Sequence, residues 1–551
     1  MRGFAVLLIV FVLTGGNFFA VNVDDGHLAS SSIMGKHGYN GECKLVMAAG
    51  NATAGDYNLL LKVRDPARPG LQVLCRIPSG YEYDYRHPWF PFKMHFVVER
   101  GFIGTTTLED TPPNIIKAGM LMNDAAIAIG DADTISYLTN PTRNAWDDFD
   151  WMRYAMQSAD TIEEVIELLT EEGVKKLHAS SVAENFFVVA PDKAAIVEAD
   201  AFNYRVKYIH DRMEIQSNYP EMLWDMHLLY PLLTASSFNT TFEGWVERGE
   251  VIKLGGFMGI SISSISPSHV MAHLFPFGIK KMIGAGEGEQ MGNFYLRVEE
   301  IESERARIFV CFNYYEWEHK IENFVDDRMG NITIEDMMML SRIHADDIEG
   351  LRGMCQGGYE AATIYRISRA YPEFLSSLWF APDQCASIFV PVHICDMDIY
   401  DAYENGEAHS IAMKLLERYG HGNLTSIFKE VERDFINEAE RVEDEARELL
   451  KEGREDEAIY MLTLADMDMQ MKAITIEKAW LNASYLSNEL FSRVYPLLKE
   501  ICRNYDDSSR VAELLESLSS LKENAGKEDR MHLENIMGLS ECLLTLHKTV
   551  S

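Results

Sequence analysis

The stretch "YNGECKLVMAAGNATAGDYNLLLKVRDPARPG" (39–70) places a cysteine, Cys43, at the head of an apolar run. Two short apolar segments, 43–49 and 57–63, are separated by "GNATAGD", which is rich in turn-forming residues. The stretch therefore predicts two strands joined by a turn, with Cys43 at the start of the first strand.

The residues before this stretch have the pattern of a secretory signal. Met1 and Arg2 precede ten apolar residues, "FAVLLIVFVL" (4–13), and small residues follow. Ten residues are too few to span a bilayer as a helix, which needs about 20. The pattern predicts a signal peptide over 1–20 and export to the outside of the cell or its surface, and an uncleaved anchor stays open as the alternative.

Composition narrows the classes of partner. The 551 residues carry 50 basic and 85 acidic side chains, a formal charge of −35, which argues against nucleic acid and anionic membranes as partners. The length exceeds what one hydrophobic core usually supports, so two or three packed units are expected. Eight cysteines are too few for a disulfide scaffold. The oligomeric state stays open.

Further along, the chain changes character. Residues 159–177 predict an amphipathic helix, and 184–200 predict a strand, a turn and a second strand. Branched and aromatic residues make 242–325 β-rich. The charged, long-periodic stretch 426–480 predicts a helical hairpin or bundle.

Three interpretations of Cys43 compete. A lipoprotein anchor would need a cysteine directly after the signal core, whereas about thirty residues separate Leu13 from Cys43. A buried or disulfide-bonded cysteine is the plainest alternative. The third is an N-terminal nucleophile: a cut between Glu42 and Cys43 would free an α-amine with an ordinary pKa of about 7.7–8.0, which can take the thiol proton.

The segment from Cys43 to Asp65 resembles the start of the cysteine N-terminal nucleophile (Ntn) hydrolases. This superfamily includes dipeptidases and the relatives of penicillin V acylase, bile salt hydrolase and isopenicillin N acyltransferase. Without a gap, Cys43 matches the nucleophile, 52–54 the turn, 59–60 the second strand and Asp65 the final aspartate. The resemblance implies that Cys43 attacks the substrate and that Asp65 holds the α-amine.

The family's arginine falls on Lys62 in this chain, and the nearest arginine, Arg64, is displaced by two residues. Residues two positions apart along a strand point to the same face of the sheet. Either cation could therefore lie near the thiolate and favour it. The two are not equivalent, because arginine presents a planar fork and lysine a point charge.

Three later segments also resemble the family. The stretch 117–133 is similar to a family strand, in which Asn123 matches the family's asparagine and Asp131 lies where acylases often have another asparagine. The stretch 215–222 is similar to the segment whose asparagine helps to hold the oxyanion, a role that Asn218 inherits. The stretch 366–393 is similar to a dipeptidase segment. The resemblance implies that Asn218 and Asp131 line the oxyanion and substrate side.

The resemblance implies an α+β fold with a four-layer αββα Ntn-hydrolase core, a β-rich middle segment and a C-terminal helical region. The expected divisions are a signal peptide (1–20), a propeptide (21–42), the hydrolase core (43–240), a β-rich segment or insertion (241–330), the remainder of the hydrolase-like region (331–404) and an acidic helical domain (405–551).

The resulting hypothesis is an exported enzyme that cleaves the linear amide bond of a small peptide or N-acyl amide through a thioester on Cys43. An acyltransferase of the isopenicillin N type, with autoproteolytic processing, is one alternative. A non-catalytic exported binding protein on the same fold is another. No membrane insertion is expected after removal of the signal.

No cofactor and no metal site is assigned. The sequence offers four possible metal ligands near one another: Cys385, His393, Cys395 and His409. Their spacing is not that of a zinc finger, and an apolar strand accounts for most of the pattern.

The acidic helices beyond residue 405 are expected to form a solvated surface without catalytic residues. Glu440, Glu443 and Glu448 are taken as exposed members of that surface.

Overall fold

The computed structural model describes residues 43–64, 70–112, 119–134, 138–218, 220–223, 242–255, 258–275, 278–291, 294–348, 353–356, 360–505 and 507–550. The predicted signal peptide, the predicted propeptide and Asp65 lie outside these ranges. Within them, no helix combines the length and the apolar composition that a membrane crossing requires.

A six-stranded antiparallel sheet, sheet I, contains the strand that follows Cys43. In spatial order its strands are β12 (Met213–Gln216), β1 (Lys44–Ala48), β2 (Tyr57–Arg64), β21 (Ala361–Ser368), β22 (Ser377–Ala381) and β23 (Val390–His393). The two strands predicted around the "GNATAGD" turn are confirmed as β1 and β2. They pair with Leu45 opposite Lys62.

A second antiparallel sheet, sheet II, has seven strands. In spatial order these are β11 (Tyr204–Ile209), β10 (Ala194–Ala199), β9 (Ala183–Val189), β8 (Ala128–Thr134), β7 (Met120–Asn123), β6 (Phe102–Thr107) and β3 (Gln72–Ile77). The predicted strand pair within 184–200 is confirmed as β9 and β10. A separate hairpin consists of β4 (Glu82–Arg86) and β5 (Lys93–Val97).

The two sheets pack face to face, with β1 and β2 against β8 and β9. Gly130 in β8 marks the closest approach, because a Cβ there would lie 2.9 Å from Leu45 Cδ2 and 3.5 Å from Lys62 Cβ. Leu45 and Leu60 are fully buried in this interface. Lys62 is therefore a charged side chain placed between two largely apolar sheet faces.

Helices cover the other face of sheet II. They are α1 (Asp148–Met156) and α2 (Ile162–Glu167), and α2 continues as a π-helical segment (Leu168–Lys176). The Thr161 hydroxyl caps α2 by accepting from the N–H of Glu164 at 3.3 Å. Trp151 of α1 packs edge-on against Phe186 of β9. The helix predicted over 159–177 is confirmed as α2 and its continuation.

The middle of the chain forms two four-stranded antiparallel sheets with an apolar core of their own, which includes Ile260, Val270, Leu296 and Ile308. One sheet contains β13 (Phe242–Glu247), β20 (Arg305–Phe312), β19 (Phe294–Glu302) and β18 (Gly288–Met291). The other contains β14 (Val251–Gly255), β15 (Met258–Ile265), β16 (His269–Phe275) and β17 (Ile279–Gly284).

The remaining helices lie between the middle sheets and the end of the chain. They are α3 (Asn313–Glu322), α4 (Ile334–Ser341), α5 (Pro372–Leu375), α6 (Asp401–Glu404), α7 (Glu407–Tyr419), α8 (Thr425–Lys451), α9 (Glu455–Ala483), α10 (Asn488–Arg503), α11 (Ser508–Glu523) and α12 (Lys527–Val550). Helix α4 packs on β2 and β21, and α8 and α9 pack on β23. The predicted C-terminal helical region is confirmed, and the protein is a mixed α/β structure with several antiparallel sheets.

The expectation that the acidic side chains of α8 are solvated is wrong for Glu443. Glu440 and Glu448 are exposed, whereas Glu443 is 1% exposed. Its Oε1 pairs with the Arg366 guanidinium and lies 3.2 Å from His393 Nε2. Glu443 adjoins the apolar stripe with which α8 packs on sheet I, so a buried cation, not water, satisfies its charge.

Candidate active site

Cys43 lies immediately before β1, at the end of sheet I, and is half-buried. Its carbonyl oxygen accepts a hydrogen bond from Ser217 Oγ at 3.2 Å. Ser217 follows β12, which pairs with β1, and its own carbonyl accepts from Asn185 Nδ2 at 2.9 Å. These bonds fix the backbone of Cys43 between two strands of sheet I and β9 of sheet II.

Lys62 is the cation that contacts the Cys43 thiol. Its side chain is fully buried, and the charge of its ammonium lowers the pKa of the thiol. The ammonium also lies 3.3 Å from Asp131 Oδ1 and donates to the Asp131 carbonyl oxygen. Although burial alone lowers the pKa of Lys62, the charges of Asp131 and Cys43 raise it above its ordinary value. Lys62 is therefore charged at neutral pH.

The pKa of the Cys43 thiol is raised above its ordinary value. Burial is the main cause, the charge of Lys62 opposes the rise, and the charge of Asp131 adds to it. The thiol consequently keeps its proton near neutral pH, and an adjacent base has to remove it before attack.

Arg64 points to a different set of partners. Its guanidinium bonds to Gln72 Oε1 and lies 3.3 Å from Thr107 Oγ1, on two strands of sheet II. It also lies over the ring of Phe149, 5.3 Å from the centroid. Between the two cations that the sequence left open, the contact with the thiol belongs to Lys62.

Four acidic side chains lie close together: Asp131, which contacts the Lys62 ammonium, and Asp133, Asp148 and Glu184. They are called the site acids below. One carboxylate oxygen of each lies within 4.8 Å of those of the others. Burial, followed by the charge of Asp133, raises the pKa of Asp148 and of Glu184 well above the ordinary range. These two therefore retain their protons near neutral pH, since four carboxylates this close cannot all ionise.

Of the site acids, the sequence predicted only Asp131. Asp133 shares its face of β8 by strand alternation, which is a signal that the sequence contains. Glu184 lies opposite Asp133 on β9, and Asp148 begins α1. Their convergence depends on the packing of separate elements and has no local signal.

Asn218 follows Ser217, whose hydroxyl bonds to the Cys43 carbonyl, so Asn218 lies close to Cys43. Its Nδ2 donates to the carbonyl oxygen of Asp133 at 2.6 Å, and its Oδ1 accepts from Ser217 Oγ at 3.3 Å. The amide is thus held by one bond from each sheet.

The structure brings Cys43, Lys62, Asp131 and Asn218 into one group, with Arg64 directed to neighbouring partners. The fifth companion that the sequence predicted, Asp65, lies outside the described residues. A thiol, a buried ammonium and an amide N–H donor at one sheet end are together suited to attack a carbonyl and to hold the charge that develops.

Searches against protein-family models and against curated proteins found no match. Among solved structures, the chain is similar to penicillin V acylase from Agrobacterium tumefaciens, with 13% identity and a TM-score of 0.22 over 30% of this chain and 49% of the acylase. It is also similar to a mutant of the conjugated bile acid hydrolase from Clostridium perfringens, with 11% identity and a TM-score of 0.34 over 64% of this chain and 92% of that one. The chain thus spans about half the length of the acylase. The candidate site is supported by this chain's own residues.

Proposed function

We propose that this protein is a cysteine Ntn hydrolase that cleaves a linear amide bond, in a small peptide or an N-acyl amide, through Cys43. The observation that carries the proposal is the placement of the buried Lys62 ammonium, held by Asp131, beside the Cys43 thiol, whose pKa the charge of Lys62 lowers. A buried ammonium next to a thiol favours the thiolate in an environment where water does not screen the charge.

The proposed reaction starts with a cut between Glu42 and Cys43. The freed α-amine takes the thiol proton, and the thiolate attacks the substrate carbonyl to form a tetrahedral intermediate. The protonated amine then gives its proton to the leaving nitrogen as the C–N bond breaks, which leaves a thioester. Water, deprotonated by the same amine, attacks the thioester, and Cys43 regains its thiol as the acid product departs.

Lys62 and Asn218 would stabilise the charges of this reaction. The Lys62 ammonium faces the thiolate, and Asp131 holds that ammonium in place. Asn218 has two amide hydrogens, one of which bonds to Asp133, and the second would be directed at the oxyanion. Asp65 would hold the α-amine, as the resemblance implies.

The finer arrangement of the fold is part of the same proposal. Two stacked sheets, with helices α1 and α2 on sheet II and helices α4, α8 and α9 on sheet I, support a four-layer αββα core. Residues 1–20 would direct export and 21–42 would be a propeptide, with the core, the β-rich segment and the acidic helical domain divided as the sequence predicts.

The test is amide hydrolysis by secreted, full-length protein on a panel of small acyl-peptides. Cys43→Ala should lower kcat/KM by at least about 1,000-fold, because the nucleophile is lost. Cys542→Ser, which replaces an exposed cysteine, should leave the rate unchanged. Hydrolysis by Cys43→Ala at the wild-type rate would refute the proposal, whereas acyl transfer to added amines without hydrolysis would assign the acyltransferase alternative.

N-terminal sequencing of the same secreted protein tests the free-amine step. The mature chain should begin at Cys43, and Cys43→Ala should accumulate the longer precursor if the cut is autocatalytic. A chain that begins near Val21 and still hydrolyses amides would refute the use of an N-terminal amine.

A further inference from the structure

A second cluster of reactive side chains lies apart from the Cys43 group. Cys355, Cys385, His344 and His421 each offer one sulfur or imidazole nitrogen, and these four atoms all lie within 4.8 Å of one another. The Cys355 and Cys385 sulfurs are 3.1 Å apart, and Cys385 Sγ is 3.2 Å from His344 Nε2.

These residues come from three separate parts of the chain. His344 and Cys355 follow α4, Cys385 lies between β22 and β23, and His421 lies between α7 and α8. The first three belong to the hydrolase-like region and His421 to the C-terminal helical region. A ligand bound here would cross-link the two regions.

The local backbone is shaped to bring the four side chains together. Gly420 and Gly422, on either side of His421, both adopt the left-handed conformation, with φ of 76° and 74°. A Cβ on Gly353 would lie 2.6 Å from the Cα of His344, so this close approach excludes any larger residue. Asp383 Oδ1 accepts from the backbone N–H of Cys385 at 2.9 Å and fixes its turn.

The donor set matches one kind of ligand, and the sulfur–sulfur and sulfur–nitrogen distances of 3.1 and 3.2 Å need to widen by only a few tenths of an ångström to admit it. A tetrahedral zinc ion, with bonds of about 2.0–2.3 Å, separates its ligand atoms by about 3.3–3.8 Å. Two sulfurs and two imidazole nitrogens are a donor set that selects zinc. The sulfurs are too far apart to be bonded to each other, since a disulfide measures about 2.03–2.05 Å. Both cysteines are free thiols here.

We propose that His344, Cys355, Cys385 and His421 bind one structural Zn²⁺ ion. Both thiols lose their protons to solvent on binding, so two thiolates and two neutral imidazoles neutralise the ion. The two cysteines are buried, whereas His421 is exposed and leaves an entry path from solvent. Four protein ligands fill the tetrahedral positions, which is the mark of a structural and not a catalytic site.

The ion would also brace the strand that carries the nucleophile. Glu360 accepts hydrogen bonds from Gln384 Nε2 at 3.2 Å and from the N–H of Gln356 at 2.8 Å, and each of these residues adjoins a proposed cysteine ligand. The other oxygen of Glu360 pairs with Lys44 Nζ at 3.3 Å, and Lys44 follows Cys43. This link is independent of whether Cys43 is catalytic.

The test measures zinc in the full-length protein, purified without chelators, by mass spectrometry of the metal. The wild type should retain one equivalent. Loss of a partner that only orients a ligand lowers metal affinity by about 10–100-fold, so Cys385→Ser and His421→Ala should each lower it by at least about 100-fold. The matched controls Cys395→Ser and His210→Ala replace residues outside the cluster and should retain one equivalent.

Two measurements on the wild type keep the test decisive if a variant fails to fold. X-ray absorption at the zinc edge should show two sulfurs at about 2.3 Å and two nitrogens at about 2.0–2.1 Å. Replacement of zinc by Co²⁺ should produce thiolate-to-metal charge-transfer bands. The proposal would be overturned if the wild type takes up no zinc in a Zn²⁺ titration, if X-ray absorption shows only oxygen and nitrogen ligands at the zinc, or if mass mapping finds a Cys355–Cys385 disulfide.

Discussion

Two buried polar groups of this protein use the same kinds of side chain in different proportions. In one group, the Lys62 ammonium contacts Asp131, which lies close to the three other site acids. At the junction of α8, α9 and sheet I lies a second group, the helix–sheet cluster, which consists of Arg366, His393, Glu443 and Asp466. Here the Arg366 guanidinium pairs with Glu443, and His393 lies between Glu443 and Asp466, at 3.2 and 2.8 Å.

The two groups differ in how cations and carboxyls are matched, and this difference indicates a structural role for the helix–sheet cluster and a chemical role for the group at Lys62. The helix–sheet cluster joins helices to a sheet, and it matches a carboxylate with a guanidinium fork and a carboxyl with an imidazole. The group at Lys62 crowds four acids together beside one ammonium and, although burial raises carboxyl pKa values in both groups, it also has the Cys43 thiol within reach. Such crowding is costly to fold and is found where a protein needs groups of altered reactivity.

The largest expected effect on stability comes from breaking the helix–sheet cluster. Glu443→Gln leaves the Arg366 guanidinium buried without its anionic partner, which typically costs about 3–5 kcal/mol of unfolding free energy. Denaturant unfolding, monitored by circular dichroism, measures the change.

Glu440→Gln is the matched control for Glu443→Gln, because it makes the same substitution on the same helix at an exposed position. It should change the unfolding free energy by no more than about 0.5 kcal/mol. Equal effects of the two substitutions would show that Glu443 does not hold the sheet and the helix together.

The next prediction concerns the group at Cys43, where the effect is expected in the rate of amide hydrolysis. Lys62→Met removes the ammonium that faces the thiolate and should lower kcat/KM for amide hydrolysis by about 100-fold or more. Lys62→Arg places a cation where the resembled family has arginine and should recover part of the loss. The pH dependence of thiol alkylation checks the cause, because the methionine variant should titrate at higher pH.

Arg64→Met is the comparison for Lys62, since Arg64 bonds to Gln72 and Thr107 and not to the thiol. It should leave the alkylation profile of Cys43 close to that of the wild type. A shift as large as that of Lys62→Met would move the role of the cation from Lys62 to Arg64.

The local sequence pattern was sufficient to locate these secondary-structure elements, but not to predict which charged side chains are buried. Apolar runs and turn residues located β1 and β2. In the structure these strands pair with Lys62 opposite Leu45. The sequence predicts an exposed Glu443, because a charged residue beside an apolar helical stripe is usually solvated. Only the packing of α8 on sheet I shows that Arg366 faces it.

The proposed zinc ligands show a similar limit. The sequence groups Cys385 with His393, Cys395 and His409, which are its neighbours along the chain. In the structure His393 bonds to Asp466, and Cys395 bonds to the carbonyl of Phe374, so neither joins Cys385. Ligands drawn from separate loops leave no fixed spacing in a sequence.

The pH dependence of stability tests whether a buried acid in the helix–sheet junction behaves like the site acids. Glu477 of α9 is buried and its Oε1 accepts from the N–H of Ile388 at 2.8 Å. Burial raises the pKa of Glu477 from 4.5 to about 8. Between these values the folded protein holds a proton that the unfolded chain has released, so wild-type stability falls as the pH rises, by up to about 1.4 kcal/mol per pH unit.

Glu477→Gln keeps the acceptor oxygen and does not titrate. The unfolding free energy of the variant, relative to wild type, should therefore increase as the pH rises from about 5 to about 8 and level off above that. Glu455→Gln, at an exposed position on the same helix, should show no such trend. A difference between Glu477→Gln and wild type that stays constant with pH would mean that Glu477 ionises normally, and that burial in this junction does not by itself hold a carboxyl neutral.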